Sequence, residues 1–116
     1  MIFLVKKLNR YFRQFYISTI IVAELYKSVY YSQQVSNNLE SLQQFTDLLA
    51  IKPFDLEAAI EFGKIQSELK KVGKPTGELD VLIAAVARSR NDILVTNNIK
   101  DFTNIPNLQL ENWLEN

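Results

Sequence analysis

The stretch Gly73-Lys74-Pro75-Thr76-Gly77-Glu78-Leu79-Asp80-Val81-Leu82-Ile83-Ala84-Ala85-Val86-Ala87, followed by Ile93-Leu94-Val95-Thr96-Asn97-Asn98 and Asp101, decides how this chain folds. A turn-like segment delivers a carboxylate, Asp80, to the start of an apolar helical run. A short apolar strand then stops at a cluster of polar residues. An ionised carboxylate costs free energy where apolar groups pack, unless a partner or a metal compensates it. An acid at the start of a buried helix, beside polar groups at the end of a buried strand, predicts a site at one edge of a sheet.

Working outward, Tyr16-Ile17-Ser18 reads as a short strand, and Ser18 or Thr19 caps a helix through Ile20, Ile21, Leu25 and Val29. Asn37 or Asn38 caps the next helix, with Leu39, Leu42, Phe45, Leu48 and Leu49 on its apolar face. Ala50–Phe54 reads as a strand whose Pro53 marks an edge or an exit. Asp55 caps a long helix with Leu56, Ile60, Phe62, Ile65 and Leu69 inward, and Gly73 stops it. A last strand covers Leu108-Gln109-Leu110, before the tail Glu111-Asn112-Trp113. At the start of the chain, Val5, Leu8, Phe12 and Phe15 are spaced among Lys6, Lys7, Arg10 and Arg13, which predicts an amphipathic helix over Ile2–Phe15. Strands alternating with helices predict the α/β class, a parallel sheet with helices on both faces.

The 116 residues are expected to form a single domain, 1–116, with a real core. Thirteen basic residues balance thirteen acidic ones, so no global field draws the chain to nucleic acid, and such binding must use a local patch. There is no cysteine and no histidine. That excludes disulfides, thiolate chemistry, imidazole bases and Ser-His-Asp triads. Carboxylates, lysines, hydroxyls and amides remain, and carboxylates with a hard cation are the natural chemistry. No apolar run reaches the ~18–20 residues of a membrane-spanning helix. The N-terminus carries its charges after its apolar residues and does not read as a signal peptide, so a cytoplasmic location is expected.

Glu24 is the only charge in the first two turns of its helix, and like Asp80 it follows a strand by a few residues. Asp101 follows Ile93–Val95 at a similar distance. In a parallel sheet such positions gather at the carboxyl ends of the strands, where open α/β sheets bind ligands. Two or three carboxylates without nitrogen or sulfur ligands suit Mg²⁺ or Mn²⁺. Such a cation lowers the pKa of a bound water and offsets charge on a phosphate. Each residue also has a plainer reading. Asp80 can serve only the helix dipole, Glu24 can lean to solvent, and Asp101 and Thr96-Asn97-Asn98 can simply close turns. Lys6, Lys7, Arg10 and Arg13 read as a solvated face, and Phe45, Phe62 and Trp113 as core.

Four segments together resemble the PIN-domain toxins of the VapC type. They are Ile17-Ser18-Thr19 through Ala23-Glu24-Leu25, Gly73 through Asp80 with Leu82-Ile83-Ala84-Ala85, Leu94-Val95-Thr96-Asn97-Asn98 with Asp101-Phe102, and Leu108 through Trp113. They run in the family's order from about Tyr16 to the C-terminus. The resemblance implies a three-layer α/β/α domain with a central parallel sheet. It implies a Mg²⁺- or Mn²⁺-dependent ribonuclease from a toxin–antitoxin pair, acting on RNA, restrained by a small VapB-like antitoxin and commonly dimeric. The family's second acidic residue falls on Glu24 and its third on Asp80. Its fourth acidic region falls on Thr96-Asn97-Asn98, where many relatives carry Asp at the position of Asn98, and Asp101 can supply that charge. The conserved hydroxyl falls on Thr96, and Ser18 matches a small polar residue ending a strand. This gives Glu24, Asp80 and Asp101 as metal ligands, with Thr96 and Asn98 completing the catalytic group.

One departure stands out. The family opens with a strand ending in Asp-Thr-Asn or similar, whose Asp is a principal metal ligand, and no such segment is present. Met1–Phe15 resembles the part of the family downstream of that strand. The expectation is therefore a PIN-like domain whose first strand is missing: a truncated chain, a start placed late, or a repurposed domain. Ribonuclease activity is expected to be impaired or absent. The alternative is a non-catalytic interaction module that binds an antitoxin or a second copy. A phosphatase or receiver fits less well, because those folds need an Asp after the first strand and a Lys near the last.

Overall fold

Strand β1 (Phe3–Lys7) leads into β2 (Arg13–Ser18), α1 (Thr19–Tyr30), α2 (Val35–Asp47) and β3 (Ala50–Lys52). Then come α3 (Leu56–Val72), α4 (Glu78–Arg90), β4 (Ile93–Val95), a 3₁₀ turn at Ile99–Asp101 and β5 (Gln109–Glu111). The computed structural model describes residues 3–7 and 13–112. The strands form one five-stranded sheet in the order β3-β2-β1-β4-β5. β2 pairs parallel with β3, and β4 parallel with β5, while β1 lies antiparallel between β2 and β4. Both neighbours of β1 therefore run the same way, and the carboxyl ends of β2 at Ser18 and of β4 at Val95 meet one edge of the sheet. Phe3 pairs with Val95, so β1 begins at that edge.

The α/β architecture agrees with the reading of the sequence; the N-terminal segment does not. Instead of a helix over Ile2–Phe15, the described residues form β1 and the start of β2, while Ile2, Leu8, Arg10 and Phe12 lie outside the described residues. Leu4 and Val5 are both fully buried, on opposite faces of the sheet, and Leu4 sits opposite Tyr16 on one side and Leu94 on the other. A strand covered on both faces loses the alternation that would announce it, and pairing overrides local propensity. Among the described residues no strand ends in an Asp. The central position between β2 and β4 is held by β1 instead, which pairs backbone groups that would otherwise be left open.

Helix boundaries follow local chemistry. Asp55 accepts a hydrogen bond from the Ala58 N–H (3.0 Å) at the start of α3. Gly73 ends that helix at φ 67, the left-handed region that glycine occupies without strain. The inward stripe of α3 is Ala58, Ile65 and Leu69, with Phe62 half-buried; Leu56 and Ile60, expected inside, are exposed. On α2, Leu42 is the buried residue and Leu48 points to solvent. Neither Asn37 nor Asn38 caps α2, which starts at Val35, and Asn38 Nδ2 instead donates to Ser32 Oγ (2.9 Å). Val81 and Ile83 through Ala87 bury α4, which packs on α3. All three residues of β4 are buried, so both faces of the sheet are covered there. Trp113 lies outside the described residues.

Candidate active site

The edge where β2 and β4 end carries the predicted acids. At the end of β2 the buried Ser18 caps α1, its Oγ accepting from the Ile21 N–H (3.4 Å). From that anchor α1 presents Ile21, Glu24, Leu25 and Ser28, spaced as one helical stripe, to a cleft of about 470 Å³. The first turns of α4 supply Leu79, Asp80 and Ile83 to the same cleft, and Asn97 and Asn98 close it. Glu24 and Asp80 thus line one cavity and are half-buried.

At the end of β4, Thr96 is buried and doubly tied. Its N–H donates to the Glu111 carbonyl (3.1 Å), and its Oγ1 accepts from the Asn98 N–H (3.0 Å). The hydroxyl therefore shapes the loop that brings Asn97 and Asn98 to the cleft. Asp101, on the exposed 3₁₀ turn, opens into an adjoining cleft of about 440 Å³ that shares Asn97 and Asn98. It is near enough to act on Asp80. Burial first, and then the charge of Asp101, raise the Asp80 carboxyl above its usual range.

Asp80 lies in the first turn of α4, where the dipole favours an acid, but the start of that helix carries no side-chain cap hydrogen bond. Among the described residues, none of Glu24, Asp80 and Asp101 is in an ion pair. The described residues contain no group of three acids drawn together closely enough to enclose a metal ion. Mg²⁺ needs no such cage, since it is commonly held through one or two carboxylates with water completing the shell. An all-oxygen donor set with uncompensated negative charge fits that ion, with Glu24 and Asp80 as the pair that shares a cavity and Asp101 beside them.

The sequence reading did not name the apolar wall of Ile21, Leu25, Leu79 and Ile83, or Ser28, Lys100, Thr103 and Asn112 in and beside the clefts. The first group was within reach, being the residues one to four positions from Glu24 and Asp80 on their helices. Asn112 comes directly after β5, and only the pairing of β5 with β4 carries it to this edge.

The sequence profile of the PIN domain matches residues 2–108. The chain belongs to the PIN-domain family. Within it the relatives are of the VapC type. "Ribonuclease VapC2" of Haemophilus influenzae is 41% identical over 98 residues, 84% of this chain and 74% of the relative. "tRNA(fMet)-specific endonuclease VapC" of Salmonella typhimurium is 37% identical over 97 residues, with the same 84% and 74% coverage. The crystal structure of VapBC2 from Rickettsia felis bound to a DNA fragment from their promoter superposes with TM-score 0.80 at 42% identity, covering 84% of this chain and 74% of that one. This PIN domain is thus a VapC-type chain in both sequence and fold. Its central strand β1 contributes no acid, since Phe3-Leu4-Val5-Lys6-Lys7 contains none.

Proposed function

We propose that this VapC-type chain is a divalent-metal-dependent endoribonuclease toxin, acting in the cytoplasm and restrained by a small antitoxin protein, with activity weakened because its central strand supplies no acid. The observation that carries this reading is the pairing of Glu24 and Asp80 in one cleft, with burial and then the charge of Asp101 raising the Asp80 carboxyl, and none of the three in an ion pair among the described residues. Glu24 and Asp80 would hold the cation, either Mg²⁺ or Mn²⁺, with Asp101 as the third acid beside them. When bound, the ion makes water a better nucleophile and offsets phosphate charge. Thr96 keeps the loop in place, and Asn98 offers its carboxamide to a phosphate oxygen. The apolar wall of Ile21, Leu25, Leu79 and Ile83 limits water around the reacting phosphate. Hydrolysis breaks the P–O3′ bond and leaves a 3′-hydroxyl and a 5′-phosphate. Relatives are solved as VapBC assemblies; the same apolar wall suits an antitoxin segment here, and a homodimer is the expected assembly.

Asp80→Asn tests the reading. Cleavage of RNA in Mg²⁺ should disappear while the circular dichroism spectrum stays unchanged. A second reading, a non-catalytic module that binds an antitoxin or its own copy, is favoured by the lack of a closed three-acid group among the described residues. Calorimetric titration separates the two: no heat with millimolar Mg²⁺ or with lower Mn²⁺ supports the module.

A further inference from the structure

The catalytic cleft is the first of three that join side by side. It shares Asn97 and Asn98 with the cleft of Lys100 and Asp101, and that cleft shares Thr103 with a third of about 550 Å³. The third lies between the end of α3 and the 103–106 loop, and Lys71 and Lys74 face it. Its one carboxylate, Glu68, is ion-paired with the guanidinium of Arg88, which it shares with Glu61, with Oε2 2.6 Å and Oε1 3.3 Å from it. Arg88 also donates to the Pro106 carbonyl (3.0 Å), which fixes the loop that forms the far wall. The cleft therefore presents two lysine cations against a single carboxylate that is already held in an ion pair.

Lysines in the last turn of a helix also complement its dipole, and Lys70 and Lys71 do so. That accounts for neither Lys74, which lies beyond the helix end, nor the opening they face. The chain has no net charge, so attraction for a polyanion must come from such a local concentration. We propose that the RNA strand runs from the catalytic cleft past Asn97, Asn98 and Thr103 to Lys71 and Lys74, which grip a phosphate remote from the scissile one. This rests on the ribonuclease reading and adds to it a distal anchoring site and a minimum substrate length.

The test is binding of fluorescein-labelled, unstructured RNA by anisotropy over a series of KCl concentrations, with Ca²⁺ in place of Mg²⁺. A decamer serves as the long ligand and a trimer as the short one. Each single-strand phosphate contact contributes about 0.7 to the slope of log K against log salt. Lys71→Ala/Lys74→Ala should lower the decamer slope by about 0.7 to 1.4 and its affinity roughly tenfold, while leaving the trimer unchanged. Lys71→Arg/Lys74→Arg should restore the slope. An unaltered decamer slope in the alanine variant overturns the track and leaves the ribonuclease reading standing. Failure of the unmodified chain to bind either RNA overturns both.

Discussion

Two regions of this molecule treat their acids in opposite ways. Where α3 packs on α4, Glu61, Glu68 and Asp55 have partners. Arg88, with a side chain 8% exposed, donates Nε to Glu61 (2.6 Å) and NH1 to Glu68 (2.6 Å). Its own ionisation is favoured by those hydrogen bonds and charges against the cost of burial. Arg90 pairs with Asp55 at 3.3 Å, and the buried Asp92 accepts from the Tyr16 hydroxyl. At the edge where β2 and β4 end, Glu24, Asp80 and Asp101 face clefts without such ion pairs. This fold can neutralise its acids, and it does so where they serve packing. At that edge three acids from different elements line adjoining clefts, and a site for a cation is a physical explanation for that convergence.

The contrast can be broken most severely at Asp80. Asp80→Asn should lower RNA cleavage by more than about 100-fold, as expected for a group that holds the ion directly. Ribonuclease assays in Mg²⁺ read this, and near-full activity would remove Asp80 from the chemistry. On the compensated side, Arg88→Ala strands Glu61 and Glu68 and frees the Pro106 carbonyl. Glu68 is partly exposed and screened, so we expect about 2–3 kcal/mol of lost stability in urea unfolding, without a change in metal binding. Tyr16→Phe leaves Asp92 buried without its donor and should cost about 1–3 kcal/mol by the same measurement. Burial and the hydrogen bond to Asp92 both hold the Tyr16 proton on, well above the usual phenol range. The phenol therefore remains a donor throughout ordinary conditions.

The smallest effect sharpens the comparison through pH. The folded state raises the Asp80 carboxyl above its ordinary value of 3.8, so the charged form is disfavoured by folding. Its cost to stability is present above the folded pKa and gone below the ordinary value. Asp80→Asn should therefore melt slightly higher than the unmodified chain at pH 7 in EDTA, with the difference fading as pH falls below about 4. Adding Mn²⁺ at pH 7 should raise the melting temperature of the unmodified chain only. A variant that melts lower at pH 7 would show that Asp80 is a structural acid like Asp55.

Much of the fold was legible because it rests on local chemistry. Asp55 and Gly73 bound α3 through a cap and a left-handed φ, and Ser18 starts α1 through its hydroxyl. Ile93-Leu94-Val95 announced a strand buried on both faces. Residues 3–7 and 13–15 form strands where a helix was expected, because Val5 and Phe15 happen to share a helical spacing with their neighbours. The winning interaction, pairing with β2 and β4, involves residues from the other end of the chain. For the site, Glu24, Asp80, Asp101, Thr96 and Asn98 were each identifiable as unusual polar groups beside apolar runs. The clefts that join them, and the lysines of α3 along the same surface, were not.

The order of residues alone determined which groups are available: oxygen donors and amines, with no imidazole or thiol, set beside apolar segments whose ends are marked by caps and glycines. These are short-range properties, readable a few residues at a time. Tertiary structure alone decided that β1 runs against its neighbours, that Glu24 and Asp80 share a cavity, and that Arg88 pairs with two acids while these two are in no ion pair among the described residues. Strand direction and charge compensation depend on contacts between residues far apart in the chain, which are settled only when the whole core closes.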